Sequence, residues 1–188
     1  MTARKSDSRD RILDVAEAMI RTQGFNGFSF REIAKQVGVK SSSVHYYYPT
    51  KGDLGAAVTR RYTDRFLDSL GDPVDAPEDA NAVIETMRDL FRKTLVEDRR
   101  MCLCGMLGAE ISDLPEEVAG ETAQFFTRSV DWLVASLTGT KWGKKAKPQK
   151  VRQVALKTIA TLEGALIMAR TLDDLSIFKK IELDHLEA

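Results

Sequence analysis

Two cysteines and two histidines in 188 residues leave little room for metal or disulfide chemistry. Cys102 and Cys104 fall short of the four ligands of a structural zinc, and His45 and His185 lie far from them in the sequence. A disulfide framework is equally out of reach, and no cofactor is expected. No apolar run approaches the roughly 20 residues that span a bilayer, so no membrane segment is expected. Residues 1–11 are mostly polar and charged and do not read as a signal peptide, which points to the cytoplasm. No Gly-x-Ser-x-Gly and no phosphate-cradling glycine loop is present, and neither histidine stands near a nucleophile in sequence, so catalysis is not expected. Strand-like alternation is missing throughout, as are repeats. Net charge is missing as well, with 28 basic side chains against 28 acidic.

The charges are unevenly spread. Residues 1–65 hold 12 basic and 7 acidic side chains, leaving 16 and 21 for the remainder. A basic head on an acidic body is the electrostatic footprint of a segment that meets nucleic acid. Within that head, Phe28 to Lys51 reads as helix, tight turn and second short helix. Ser29 with Glu32 three residues on forms a capping box, and Ile33, Ala34 and Val37 give an apolar face at helical spacing. Gly38 is the stop, since a left-handed residue commonly ends a helix. Ser41 or Ser42 is expected to cap the second helix, Ser43 to Tyr47, which Pro49 ends. That helix has one plain aliphatic, Val44, among serines, His45 and tyrosines. Short hydroxyls and polar-tipped rings suit phosphates and base edges better than a dry core.

The segment from about Arg9 to Leu67 resembles the DNA-binding domain of the tetracycline-repressor (TetR) family. The resemblance rests on Phe25 and Phe28 after a leading helix, Phe28-Ser29-Phe30-Arg31-Glu32-Ile33-Ala34, Gly38-Val39, Val44-His45-Tyr46-Tyr47-Tyr48, and Lys51 opening a fourth helix. It implies an all-α fold: an N-terminal three-helix helix-turn-helix domain, residues 1–50, joined by a long helix, 51–70, to a helical ligand-binding and dimerisation domain within 51–188. It also implies that Ser41, Ser42, Ser43, His45 and Tyr46 read base edges in double-stranded DNA, while Ser29, Tyr47 and Lys51 grip phosphates. The expected function is that of a repressor released from a palindromic operator by a small, mainly apolar effector. Two alternatives are a DNA-binding protein with no small ligand and a sensor modified at cysteine. Cys102 and Cys104, two apart on a helix, face nearly opposite ways and would react singly, if at all.

Residues 1–6 are expected to be a loose arm in which Arg4 and Lys5 are solvated, with a first helix from Asp7 or Ser8 to about Thr22. Gly71-Asp72-Pro73 through Pro77 reads as a linker and domain boundary. Further helices are expected over Ala80–Glu97, Met101–Ile111, Leu114–Leu137, Pro148–Leu172 and Asp174–Leu183, with a loose, lysine-rich loop from Thr138 to Pro148. Met87, Phe91, Met106, Phe125, Phe126, Trp132 and Met168 are candidates to line an effector pocket, because methionine and aromatic faces fit irregular apolar guests. Glu110 and Glu163 join them as acids in otherwise apolar helical stretches. Each needs a donor, a dimer partner or a cationic ligand. The last two helices carry more apolar surface than one body hides, so a homodimer built on a four-helix interface is expected.

Overall fold

The computed structural model describes residues 2–187 and, of their side chains, those of 8–96 and 99–187. Among the described residues every regular element is helical: α1 Thr2–Gln23, α2 Phe30–Val37, α3 Ser41–Tyr47, α4 Lys51–Asp68, α5 Ala80–Asp98, α6 Leu103–Ala109, α7 Glu116–Gly139, α8 Pro148–Thr171 and α9 Ile177–Lys180. The expected all-α class is the observed one. The backbone is helical from Thr2, ahead of the expected start at Asp7 or Ser8. The expected solvation of Arg4 and Lys5 falls on side chains outside the described ones, and Met1 lies outside the described residues.

The chain divides into two compact units, Met1–Thr63 with Leu103–Gln124, and Asp64–Cys102 with Phe125–Ala188. This differs from a boundary after residue 50 or at the 71–77 linker. α6 and the first turns of α7 belong with the N-terminal helices. The reason is packing between distant segments, which sequence spacing does not show. α6 lies on α1, and Val118 of α7 comes so close to Gly55 of α4 that a Cβ there would stand 2.9 Å from Val118 Cγ2. The same absent Cβ would meet the Phe25 ring at 2.6 Å, so only glycine lets these three segments close up.

In the first unit Ile12, Ala16, Ile20, Phe25, Phe28, Ile33 and Val44 form the core, each 3% exposed or less. Phe25 and Phe28 meet edge to face at 5.5 Å, both buried. Glu17 and Arg21, the buried charges of this unit, pair with each other at 3.6 Å, and Arg61 joins them.

In the second unit α5 packs against α8, and the rings of Phe66, Phe91, Phe125 and Phe126 form a chain of edge contacts 5.0–5.5 Å apart. The segment after α7 is tied down, contrary to the loose loop expected. Thr140 Oγ1 donates to Leu137 O and accepts from Gly143 N, and Lys141 N donates to Glu78 O. The expected helix Asp174–Leu183 shrinks to the single turn of α9. Asp173 takes a left-handed φ of 50°, Asp174 N closes the end of α8 on Ala169 O, and Asp174 Oδ1 accepts from Ser176 N. Beyond Ile181 the chain extends until Leu186 docks on α5, exchanging two hydrogen bonds with the Asn81 amide. The apolar spacing of Leu175, Phe178 and Ile181 suits a helix, but those long-range bonds and the burial of Leu186 hold the extended form.

Candidate nucleic-acid interface and ligand region

The α2–α3 pair is built by caps at both ends of α2. Ser29 Oγ accepts from Glu32 N at 3.3 Å and donates to Glu32 Oε2 at 2.7 Å. Gly38 sits at φ 77°, and both its N–H and that of Val39 return to Ala34 O at 2.9 Å. Arg11 of α1 adds a bond that the sequence does not advertise, from Nη2 to Val37 O at 2.7 Å, on one of the last carbonyls of α2. α3 then begins earlier than expected. Its N-cap is Lys40, with no side-chain cap bond, and Ser41 to Ser43 form the first turn. The serine hydroxyls are therefore not engaged in capping.

Val44 is wholly buried and anchors α3. Ser42, His45 and Tyr46 face outward, Ser41, Ser43 and Tyr47 are half-buried, and Tyr46 is 70% exposed. A large ring held outward on a helix of hydroxyls is a poor use of apolar area unless something covers it. His45 lies against Phe30 with ring centres 4.6 Å apart, and Tyr47 braces Tyr46 at 5.3 Å, so neither outward ring hangs loose. Tyr48 turns inward instead, 4% exposed, with its hydroxyl accepting from Arg9 Nε at 3.3 Å.

Lys51 opens α4 with its ammonium 4.9 Å from the Phe25 ring centre and 4.4 Å from that of Phe28. Partial burial lowers its pKa, while the charges of Glu110 and Glu32 pull it back up. Thr50 and Asp53 cap α4 reciprocally, Thr50 N to Asp53 Oδ2 at 2.9 Å and Asp53 N to Thr50 Oγ1 at 3.0 Å. The Thr-x-x-Asp spacing is itself a capping pattern in the sequence. Arg31, Lys35 and Lys40 are exposed cations of the same two-helix element that spacing alone did not single out.

Glu110 is half-buried in the first unit, just past α6, and accepts from Phe25 N at 2.7 Å. Its carboxylate occupies the space a side chain at residue 24 would need, 2.0 Å from the Cβ position, and Gly24 holds φ 79°. Glu110 thus finds its donor in the turn that carries Phe25 and belongs to the unit that holds α2 and α3. Met106 belongs to that unit too. Met168, on α8, is 50% exposed. Of the nine expected ligand-lining residues, Met106 and Glu110 thus belong to the first unit and Met168 is exposed in the second.

Met87, Phe91, Phe125, Phe126, Trp132 and Glu163 all lie in the second unit. Met87, Phe91 and Phe125 are fully buried, Trp132 is 7% exposed and Glu163 9%, and Phe126 is half-buried. Phe66, from α4, completes the aromatic chain, a contact that spacing along α4 does not show. Trp132 Nε1 donates to Gly71 O at 2.8 Å beside an open groove of about 580 Å³ bounded by Leu67, Asp72 and Arg128. A second, more enclosed hollow of about 410 Å³ lies between Leu95, Val96, Ala169 and Leu175, with Arg99 and Arg170 at its edge. Cys102 and Cys104 are buried.

Residues 12–58 match the domain of bacterial regulatory proteins of the tetR family, and residues 76–183 match the C-terminal domain of LmrA/YxaF-like transcriptional regulators. A TetR transcriptional regulator from Legionella pneumophila has a similar structure, with a TM-score of 0.79 and 30% identity over 90% of each chain. An uncharacterized HTH-type transcriptional regulator from the dhlA 5′ region of Xanthobacter autotrophicus is 28% identical over 177 residues, 89% of this chain and 84% of that one. The nicotine-responsive repressor HdnoR of Paenarthrobacter nicotinovorans is 29% identical over 92 residues, 49% of this chain and 47% of that one. With both domains matched and the helix-turn-helix geometry in place, the chain belongs to the TetR family of DNA-binding transcriptional regulators.

Proposed function

We propose that the protein is a homodimeric repressor that binds a palindromic operator and is released by a small, mainly apolar effector held in the second unit. The observation that carries the DNA side is the outward face of α3: Ser42, His45 and Tyr46 serve neither cap nor core, with Tyr46 70% exposed and braced. Ser41, Ser43 and these three read base edges, while Ser29, Tyr47 and Lys51 hold the backbone, with Arg31 and Lys40 as further phosphate partners.

One α3 covers only a few base pairs, so specificity needs two copies on half-sites about one helical turn apart. A face for the second copy runs along α8. Leu156, Ala160, Gly164, Ile167 and Thr171 share one helical stripe, with Leu156 50% and Ile167 51% exposed and open space beside Gly164. Leu172 and Leu175 extend the apolar area at 63% and 47%. Because α9 is a single turn, α8 and the residues just after it carry this interface, rather than two long helices. The effector half of the reading rests on the buried Met87, Phe91 and Phe125 and on a relative whose name makes it a ligand-responsive repressor.

The deciding experiment is fluorescence anisotropy on a palindromic operator found by selection, against a scrambled duplex. Tyr46→Ala should narrow the gap between the two affinities while leaving the melting temperature in place, because the ring is mostly in solvent. Unchanged affinity for both duplexes would take α3 out of the groove.

A further inference from the structure

Buried charge in the first unit is matched by pairing. Glu17 and Arg21, buried in the first unit, form an ion pair. Glu163 of α8 departs from that habit. It is 9% exposed, it is the one charged side chain among the described residues of the second unit to be buried, and neither of its carboxylate oxygens has a hydrogen-bond partner. The group that acts on it is the Cys102 thiol, a weak donor. Burial pushes the carboxyl up to about 7, and the thiol works against that. One turn away on α8, Ile159 and Leu166 are buried and apolar, and α5, packed against α8, contributes the buried Met87 and Phe91.

The same unit holds two more unmatched polar groups. Ser129 and Ser136 of α7 are 0% and 2% exposed, and neither hydroxyl has a partner. Buried side-chain oxygens are normally satisfied by protein or by something bound. An apolar core has no use for a carboxylate, whose charged form costs several kcal/mol to leave unpaired in such surroundings. Alanine or leucine would fill the position without that cost.

We propose that Glu163 is the counter-charge of an effector site in the second unit, and that the effector is an apolar organic cation carrying an ammonium group. The assignment rests on the ligand-responsive reading above and names its chemical class. An ammonium ion supplies the missing opposite charge. Aromatic faces of the same unit, such as those of Phe91 and Phe125, can attract the same charge, and soft methionine can pack against the rest of the molecule. A hydrocarbon guest leaves the carboxyl unmatched, and an anion is repelled by its charged form.

The test uses the full-length protein and an isosteric pair, benzyltrimethylammonium and neopentylbenzene, extended by their para-alkyl homologues. These probes differ in charge at nearly constant shape. Calorimetry should show the cation bound at least about tenfold tighter than its carbon isostere. Glu163→Gln, which keeps the volume and removes the charge, should bring that ratio to about one while the isostere still binds. In the unsubstituted protein, the carboxyl carbon resonance of Glu163 should move to its ionised position as the cation is added. That readout does not depend on the variant folding. Equal binding of both isosteres, or a ratio that survives Glu163→Gln, overturns the cationic class. If the isosteres bind equally and both weaken operator binding, the ligand-responsive reading stands and only the class falls. If no member of either series binds or shifts operator affinity, both fall together.

Discussion

Lys51 is held by two aromatic rings rather than by an acid, so its ammonium keeps unused donors for a phosphate oxygen. Removing it has two separable effects. Lys51→Ala should weaken binding to operator and random duplex alike and reduce the slope of log K against log salt by about one, the value of a single phosphate contact. It should also cost the first unit about 0.5–1 kcal/mol of stability through the lost cation–ring contacts, seen in urea unfolding. Glu163 makes the opposite kind of prediction. Its folded pKa is raised to about 7 from an ordinary 4.5, so folding disfavours the charged form. Below about pH 4.5 the carboxyl is neutral in both states and costs nothing. Between 4.5 and 7 the unfolded chain releases the proton and the folded protein does not. Above 7 the full penalty stands, about 3 kcal/mol by linkage. Glu163→Gln should therefore match the parent protein at pH 4.5 and exceed its stability by an amount that grows to about that size by pH 8. Equal stability at both pH values would show that the carboxyl is compensated in the folded state.

At the scale of elements, the turn after α1 depends on a residue 85 positions away. Glu110 accepts from Phe25 N, and the carboxylate fills the hollow that glycine leaves at position 24. Gly24→Ala faces both a left-handed φ of 79° with extended ψ and a Cβ 2.0 Å from Glu110 Oε1. Glu110→Ala leaves a peptide N–H without its acceptor, a loss of about 1–3 kcal/mol. Since each substitution removes part of what the other disturbs, their costs should not add. Gly24→Ala should cost less in the Glu110→Ala background than alone, by at least about 0.5 kcal/mol in a double-mutant cycle. Strict additivity would mean that the carboxylate does not stand where the structure puts it. Thr50→Ala, which removes one half of the box that opens α4, should cost about 1 kcal/mol and shift the midpoint without changing the denaturant slope.

At the scale of the whole molecule, two linkages follow from the proposed function. The stripe on α8 has open space beside Gly164, so Gly164→Leu should fold as one copy and fail to pair as two. Sedimentation should show a dimer at micromolar concentration for the parent and a monomer for the variant. A monomeric parent would remove the two-half-site reading of the operator. The second linkage is between effector and DNA. An effector that lowers operator affinity a hundredfold requires about 2.7 kcal/mol of coupling, and saturating operator must weaken effector binding by the same factor. α4 and α7 each contribute residues to both compact units, which makes them the elements whose substitution should alter that coupling while sparing either binding step alone.

Local rules were enough for the helix-turn-helix. Ser29 with Glu32, the apolar triplet Ile33, Ala34 and Val37, Gly38 at its left-handed φ and the polar face of α3 all act within a few residues of one another, so spacing in the chain carries the information. The same holds for most helix ends of the C-terminal half, where Asp79, Pro148 and the apolar stripes set the limits. Other features came from contacts between residues far apart. Glu110 looked like any acid in an apolar stretch until the fold set it against Phe25, while Glu163, similar on paper, stayed unpaired in a different unit. Leu175 to Leu183 has a helical pattern, yet Asn81 holds the chain end extended because two hydrogen bonds and the burial of Leu186 outweigh one marginal helix. Met168, the same residue type as the buried Met87, faces out on α8. Side-chain chemistry and short spacing settle what a segment does alone; which of two similar carboxylates is satisfied depends on what the rest of the chain brings within about 3 Å of it, and only the tertiary structure decides that.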